Sequence, residues 1–362
     1  MRILANLGLF LAPLLITLIG ISSIYSATYF KKSNLWILQL IWLILGSIIF
    51  WIMNFFNYRY VWEISFFLYV VCMILLLVVS IYGAVRLGAQ RWISILGFNF
   101  QPTEFAKLVL VIILARYFSR KSPTQVTLPN KRLGIFKALI FPFILVLLPV
   151  ILILEQPDLG SALILIFIFV GMIYFADIKS RYIFLFMGLC ILSFPIFWHF
   201  LKDYQKDRLL VFLNPNLDPL GSGYTLIQSK ISIGSGRLLG KGWLSGTQSQ
   251  LLFLPEAHTD FIFATFAEER GFLGCVLLFS LYYLLIREII QIGYKASDDF
   301  AKLLSLGIGF SLGIQILINI SMTMGLLPVV GVPLPFLSYG GSSLVINFLS
   351  LGILSNIKSK FK

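Results

Sequence analysis

The chain has 362 residues, of which 59% are hydrophobic and only 12% are charged, and its mean hydropathy is +0.94. A soluble domain rarely has so apolar a composition, so the sequence predicts an integral membrane protein. The net charge of +13 would suit nucleic acid, anionic lipid or membrane orientation. The basic residues cluster beside apolar segments, which favours orientation, and we expect no nucleic-acid partner.

Apolar runs of about 17 to 24 residues recur along the chain, and each could cross about 30 Å of hydrocarbon as a helix. The first run has no cleavage pattern and is expected to remain as a helix. The predicted fold class is an all-α polytopic membrane protein with about ten transmembrane helices in one domain, residues 1–362. The predicted spans are residues 7–28, 35–53, 61–82, 103–119, 135–154, 159–175, 182–200, 272–291, 303–324 and 340–357.

Lysine and arginine concentrate on the connections of one side, for example at Arg59, Lys131, Arg132 and Lys295. This bias predicts that both termini are cytoplasmic. Four polar connections then lie on the outer side. They are residues 82–102, 155–158, 201–271 and 326–339.

The longest outer connection, residues 201–271, lies between helices 7 and 8 of the ten. Loops of this length are usually functional. Its apolar end, residues 261–267, is expected either to re-enter the membrane or to lie along the interface.

Arg91 is the first candidate binding residue in chain order. It precedes Trp92 in the first outer connection. A guanidinium suits a phosphate group, which it can bind through two parallel hydrogen bonds. The alternative interpretation is an anchor in the aromatic belt at the membrane surface.

Glu104 and Lys107 lie three residues apart in the first turns of the fourth span, after a proline that suits a helix start. They are therefore expected to share one helix face. One interpretation is a capping carboxylate with a lysine that extends to the interface. The other makes them residues of a functional cavity, because ionisable groups within a span are costly.

Asp158 opens the sixth span after the turn that holds Gln156 and Pro157. An aspartate there can cap the helix or contribute a negative charge to a site. Both interpretations remain open from the sequence.

Residues 228–250 are rich in glycine and carry Lys230, Arg237 and Lys241. The glycine spacing fits neither a Walker A loop nor a dinucleotide-binding fingerprint. A flexible basic segment of this kind suits an anion such as a diphosphate.

Glu256, His258 and Asp260 form the densest polar cluster of the chain, directly before an apolar run. A carboxylate held against apolar walls has a raised pKa, which suits a general base near neutral pH. Asp260 is therefore the candidate base, and a helix cap is the alternative. His258 has no second ligand at a spacing typical of zinc sites. A hard cation held by carboxylates, with Asp260 and Asp158 as candidate ligands, stays open.

Five motifs together resemble the SEDS family of cell-wall polymerases, named for shape, elongation, division and sporulation, over essentially the whole chain. They are GAQRWI at 88–93, QPTEFAK at 101–107, QPDLG at 156–160, PEAHTDFIF at 255–263 and PLPFLSYGGSS at 333–343. Residues 246–251 and 331–336 are most similar to the elongation branch rather than to the division or sporulation branches.

The resemblance implies a peptidoglycan glycosyltransferase that polymerises lipid II at the outer face of the cytoplasmic membrane, with inversion at the anomeric carbon and release of undecaprenyl diphosphate. It implies a class B penicillin-binding transpeptidase and other elongation-complex membrane proteins as partners. Asp260 would be the general base, and Glu256 and His258 would shape its pocket. The chemistry of a diphosphate makes Mg²⁺ or a similar divalent cation an expected cofactor.

The basic residues expected to bind the diphosphate are Arg91, Lys107, Lys230, Arg237 and Lys241. Glu104 and Asp158 are expected to contribute negative charge to the same cavity. Two other functions fit many spans as well: a flippase or transporter for the lipid-linked precursor, and a scaffold that recruits a synthase. Crowding of the polar residues on one side favours the enzyme, since alternating access needs a site near the midplane.

Overall fold

The computed structural model describes residues 2–86, 89–95, 98–119, 139–219, 221 and 223–360. Gly88 of the first motif lies outside these residues. So do residues 135–138 of the fifth predicted span and the basic residues Lys131 and Arg132.

The described part is a bundle of helices, and each of the ten predicted spans overlaps one of them. The helices are α1 Arg2–Thr28, α2 Leu35–Met53, α3 Tyr58–Tyr82, α4 Pro102–Ser119, α5 Phe141–Glu155, α6 Leu159–Phe175, α7 Ser180–Phe200, α8 Asp203–Leu213, α9 Tyr224–Ser235, α10 Thr247–Gln250, α11 Ile262–Lys295, α12 Asp299–Met324 and α13 Gly341–Lys358. A short 3₁₀ helix, Pro215–Leu217, follows α8.

Five of the described helices are long and apolar enough on their own to cross a membrane: Leu7–Thr28 of α1, then α2, α3, α11 and α12. Helices α5, α6 and the first half of α7 are shorter but apolar. The architecture is that of a polytopic helical membrane protein, as the sequence predicts.

Several helix ends have the polar groups that such ends require. Asp298 caps α12 by accepting a hydrogen bond from the Ala301 amide at 2.8 Å, and Gly325 ends the same helix in the left-handed conformation. Both devices satisfy backbone groups that have no partner inside the helix. Helix α12 packs against α4, α6 and α11 and so forms the centre of the bundle.

The connections predicted to be outer contain more regular structure than the sequence predicts. Strands β1 Ala84–Arg86, β2 Ala89–Ile95 and β3 Phe98–Phe100 form an antiparallel sheet in the order β1-β2-β3. The predicted 201–271 connection contains α8, α9, α10 and the first turns of α11.

Helix α11 begins ten residues before the eighth predicted span, and it is broken at Gly271, where φ is +64° and ψ is −165°. The turns before this break, up to Glu269, are buried in protein. This apolar part of the predicted 201–271 connection is thereby shielded from water by the rest of the protein.

Candidate active site

Asp260 ends the connection that leads into α11, and its backbone is fixed by a side chain from α12. The Asn319 side-chain amide donates one hydrogen bond to the Asp260 carbonyl at 2.9 Å and another to the Val332 carbonyl at 2.7 Å. Asn319 is fully buried, so both bonds are shielded from water. The position of Asp260 is therefore tied to the central helix and to the connection before α13.

The turn that carries Glu256, His258 and Asp260 is bonded to the same connection. The Tyr339 amide donates to the His258 carbonyl at 3.0 Å, and the Ser338 hydroxyl donates to the Thr259 carbonyl at 2.7 Å. Such hydrogen bonds, one from a backbone amide and one from a side-chain hydroxyl, hold a loop whose backbone is not paired in a helix or sheet.

Residues 329–332, which we call the Gly331 segment, contact four different elements in four consecutive positions. Val329 accepts a hydrogen bond from Arg208 on α8, and Val332 accepts one from Asn319 on α12. The carbonyl of Val330 would lie 2.4 Å from a Cβ built on Gly160.

Gly331 itself has φ +69°, and a Cβ there would lie 3.3 Å from Oδ2 of Asp260. Only glycine adopts this conformation without strain and leaves room for the carboxylate. The Gly331 segment thus connects α8, α6 and α12 to the backbone around Asp260.

Arg91 links strand β2 to the turn before α6. Its guanidinium donates to the carbonyls of Gln156, at 3.3 Å, and Pro157, and its Nη1 lies 3.8 Å from Oδ1 of Asp158. These contacts attach Arg91 to the turn before α6, beside Asp158. The side chain is 21% exposed, so a ligand can still reach it.

Asp158 caps α6. Its carboxylate accepts hydrogen bonds from the Ser161 amide at 3.2 Å and the Ser161 hydroxyl at 2.8 Å. The capping interpretation is therefore the one observed. The negative charge of Asp158 also acts on Asp260, whose pKa it raises. Asp260 does not cap α11, because Phe261 occupies the cap position and no side chain accepts a capping bond there.

Burial is the main reason that the pKa of the Asp260 carboxyl is raised to about 6. The negative charges of Glu256 and Asp158 raise it, whereas the cationic Arg208 and Arg91 lower it. A carboxylate with this pKa is ionised at neutral pH and basic enough to accept a proton.

Burial lowers the pKa of His258 below its ordinary value, and the positive charge of Lys31 lowers it as well, whereas Glu256 raises it. The imidazole is therefore neutral at pH 7. Its ring centre lies 6.0 Å from that of Tyr339, so His258 forms one wall of the turn beside Asp260.

Glu104 and Lys107 form a buried cluster with a residue of α12. The Lys107 ammonium donates to Oε1 of Glu104 at 2.8 Å and to Oε1 of Gln315 at 2.7 Å. Both charged side chains are almost inaccessible, at 3% and 5% exposure. Lys107 thus does not extend to the interface, and its charge is already balanced inside the bundle.

Three other predicted binding residues contact elements away from Asp260. Lys241 pairs with the fully buried Glu268 at 2.6 Å. Arg237 is exposed, and its carbonyl accepts from the Phe272 amide at 2.8 Å beside the break in α11. The exposed Lys230 side chain lies over Gly325.

Sequence reasoning missed Arg208, Asn319 and Glu268. Asn319 and Glu268 carried a usable signal, because a polar side chain inside or beside an apolar run has a cost that function or structure must justify. Arg208 carried none, since one exposed arginine in a polar loop is ordinary.

The chain was compared with known proteins. The family model described as a cell cycle protein, FtsW/RodA/SpoVE, matches residues 2–362. The chain belongs to this family. The predicted resemblance is thereby confirmed, since the match covers all but the first residue.

Among curated relatives of this FtsW/RodA/SpoVE member, the peptidoglycan glycosyltransferase MrdB of Escherichia coli K12 is 43% identical over 298 residues, which is 82% of this chain and 78% of the relative. MrdB of Helicobacter pylori is 40% identical and covers 86% of this chain and 80% of its own. A probable FtsW from Geobacter sp. M18 is 38% identical, with 83% and 80% covered. The sequence is RodA-like, that is, of the elongation branch.

Solved structures agree with the fold. A peptidoglycan synthase complex, described as coordinating polymerization and crosslinking, contains a chain with a TM-score of 0.82 and 29% identity, and 97% of this chain and 96% of that one are covered. The crystal structure of the rod shape determining protein RodA of Thermus thermophilus gives a TM-score of 0.72 at 26% identity, with 98% and 97% covered.

The predicted cation ligands do not by themselves form a metal site. The described residues contain no group of three or more His, Cys, Asp or Glu side chains that could hold an ion. Both oxygens of Asp158 accept bonds from Ser161. A cation such as Mg²⁺ is often bound largely through phosphate oxygens of a substrate.

Proposed function

We propose that this FtsW/RodA/SpoVE member polymerises lipid II into glycan strands, with inversion at the anomeric carbon and release of undecaprenyl diphosphate. Its activity is that of a peptidoglycan glycosyltransferase in cell elongation, the activity for which its MrdB relatives are named. The substrate, the stereochemistry and the residue roles are the proposed part.

The observation that carries the proposal is the Asp260 carboxylate, which lies against Gly331 and has a pKa of about 6. The positive charges of Arg208 and Arg91 act on this carboxylate. The carboxylate accepts the proton of the attacking sugar hydroxyl. The hydroxyl oxygen forms a bond to the anomeric carbon, and the bond from that carbon to the diphosphate oxygen breaks. The electron pair leaves with undecaprenyl diphosphate, which is a stable anion and needs no acid.

Arg91 binds the diphosphate in this proposal. Two carbonyl bonds and the nearby Asp158 carboxylate hold its guanidinium in place before substrate arrives. Preorganised donors are more effective than mobile ones because they need not reorder during the reaction. Arg91→Ala is expected to weaken binding of lipid II, whereas retained binding and turnover would exclude this role.

The direct test uses purified full-length protein with labelled lipid II in detergent and no second glycosyltransferase. Glycan chains are expected from the unmodified protein. Asp260→Asn is expected to lower the rate about 10²- to 10⁴-fold, because a general base contributes that much. Asp203→Asn is the matched control, since the Asp203 side chain is fully exposed on α8.

An unmodified rate in folded Asp260→Asn protein would exclude Asp260 as the base. The same assay separates the other functions that the sequence allowed. A transporter or a scaffold would yield no glycan chains from purified protein.

A divalent cation such as Mg²⁺ is proposed as a cofactor, held by diphosphate oxygens of the substrate. When bound, it would neutralise charge on the leaving diphosphate. Removal of divalent cations with EDTA is expected to lower the polymerisation rate, and re-addition of Mg²⁺ to restore it. A rate that EDTA leaves unchanged would exclude the cation.

The chain is a multi-pass membrane protein. We further propose that it lies in the cytoplasmic membrane with both termini inside, and that a class B penicillin-binding transpeptidase and other elongation-complex membrane proteins are its partners. The similar chain within a peptidoglycan synthase complex supports a crosslinking partner. Co-purification of this chain with such a transpeptidase, and a higher rate of polymerisation in its presence, would test the pairing.

A further inference from the structure

We propose that Arg208 is a second diphosphate-binding residue of the active site, acting together with Arg91 on the departing undecaprenyl diphosphate. This inference rests on the proposed glycosyltransferase reaction and assigns a role to a residue outside the motifs of the sequence. It does not involve Lys107 or Lys241, whose ammonium groups contact Glu104 and Glu268.

The position of Arg208 is set by the Gly331 segment. Helix α8 carries the residue, and its Nη1 donates to the Val329 carbonyl at 3.2 Å. Two residues further along the same segment, Gly331 faces Oδ2 of Asp260. The residue that the guanidinium contacts and the residue that faces the carboxylate are therefore two positions apart on one segment, and the Arg208 side chain is exposed.

The charge of Arg208 acts on the reacting carboxylate. It lowers the pKa of Asp260, and its effect is larger than that of Arg91. Two positive charges on separate elements, α8 and β2, thus act on one carboxylate. A diphosphate carries several negative oxygens, and each guanidinium can bind two of them in parallel.

Proton transfer to Asp260 changes how strongly Arg91 and Arg208 attract the diphosphate. Before the reaction, the negative charge of Asp260 partly balances the two arginines. When Asp260 accepts the proton, that charge disappears at the moment when negative charge grows on the leaving diphosphate. The attraction of Arg91 and Arg208 for the diphosphate is therefore strongest late in the reaction, which is the kind of interaction that accelerates a chemical step.

Lys206 provides a matched control on the same helix. It lies two positions before Arg208, about 200° around the helix, and so on another face. Its ammonium pairs with Asp203 at 3.8 Å. A general effect of basic charge on α8 would appear in Lys206→Ala, whereas a specific contact with the diphosphate would not.

The test compares full-length Arg208→Ala, Arg208→Lys and Lys206→Ala with the unmodified protein in the lipid II assay, with inorganic diphosphate as an added inhibitor. For Arg208→Ala we expect kcat/KM to fall about 10- to 10²-fold, somewhat less than when an enzyme loses a transition-state donor outright. Inhibition by diphosphate should weaken about tenfold or more. Lys206→Ala should change neither quantity by more than about twofold.

The pH profile separates a direct role from a structural one. The loss of a nearby cation should move the acidic limb of kcat/KM to higher pH in Arg208→Ala. Arg208→Lys should restore the position of that limb, because it restores the charge, but not the full kcat/KM, because lysine lacks the planar fork. The other charged groups acting on Asp260, namely Glu256, Asp158 and Arg91, are the same in all variants.

Unchanged kcat/KM and unchanged diphosphate inhibition in Arg208→Ala would overturn the inference. So would a loss of activity with the acidic limb and the inhibition unchanged, which would mean that Arg208 only holds α8 to Val329. If Arg208→Ala does not fold, Arg208→Lys decides by kcat/KM and by diphosphate inhibition: a loss in both supports the inference, and no change in either overturns it. Failure of the unmodified protein to polymerise lipid II would instead refute the proposed function, so the two failures are distinct.

Discussion

Gly331→Ala is expected to impair catalysis more than stability. The new Cβ would lie 3.3 Å from Oδ2 of Asp260, so the carboxylate must move by a few tenths of an ångström. The backbone conformation, with φ +69°, also costs an alanine about 1 to 2 kcal/mol. Alanine also reduces the conformational entropy of the unfolded chain, which offsets about 0.4 to 1 kcal/mol of this cost. The net destabilisation is therefore about 1 kcal/mol.

The catalytic effect follows from the displacement of the base. A misplacement of about 1 Å can cost about 10²-fold in rate, so a smaller shift is expected to cost about tenfold. The assay is kcat on lipid II, measured together with the thermal unfolding midpoint in the same detergent. Gly340→Ala is the control, because its Cβ would meet only the Ser343 Cβ at 3.7 Å and its φ of 169° is open to any residue.

Two results would refute this reasoning. One is an unchanged kcat in Gly331→Ala with a lower unfolding midpoint, which would show that the contact with Asp260 does not matter to the reaction. The other is an equal loss in Gly340→Ala, which would make the effect a general property of the connection.

Three further predictions concern neighbouring groups. Because Asp260 works as a base in its ionised form, kcat/KM of the unmodified protein should fall as pH drops below about 6. Glu256→Gln removes a negative charge that raises the pKa of Asp260, so the fall should occur at lower pH in this variant. A profile of the unmodified protein without an acidic limb near pH 6 would count against Asp260 as the base. Asn319→Leu removes the hydrogen bonds from the Asn319 amide to the Asp260 and Val332 carbonyls, and it should lower both the unfolding midpoint and kcat. An unchanged kcat would show that the position of Asp260 does not depend on these bonds. Glu268→Gln should cost about 1.5 to 3 kcal/mol in the unfolding free energy, since the carboxylate accepts hydrogen bonds from Lys241 and from the first amide of α10. Lys241→Met should cost less because its side chain is 27% exposed. A larger cost for Lys241→Met than for Glu268→Gln would exclude Glu268 as the main stabilising residue of the pair.

The spans were predictable because a single physical requirement dictates them. A helix that crosses hydrocarbon must be apolar over its whole length, and that signal is local in the sequence. The start of α6 at Asp158 and the cap of α12 at Asp298 follow equally local rules. Such features need no knowledge of what packs against them.

The site was only partly predictable, because its geometry depends on contacts between distant segments. Asp260 and Arg91 were identifiable by residue type and by the motifs around them. Lys107 and Lys241 had equally suitable chemistry. The sequence places Glu104 on the same helix face as Lys107, but it shows neither the contact of Lys107 with Gln315 of α12 nor the pairing of Lys241 with Glu268. Arg208 enters the site only because α8 reaches the Gly331 segment.

The Gly331 segment explains how a site assembled from distant parts of the chain keeps a defined geometry. Four consecutive residues set the places of α8, the start of α6, the Asp260 carboxylate and the Asn319 amide of α12. The distances among the base and the surrounding groups are therefore not independent, since a shift of this one segment changes all of them together. The pKa of Asp260 and the positions of the Arg91 and Arg208 side chains therefore depend on the same segment. Variants in the segment should change the acidic limb of the kcat/KM profile and the binding of diphosphate in parallel.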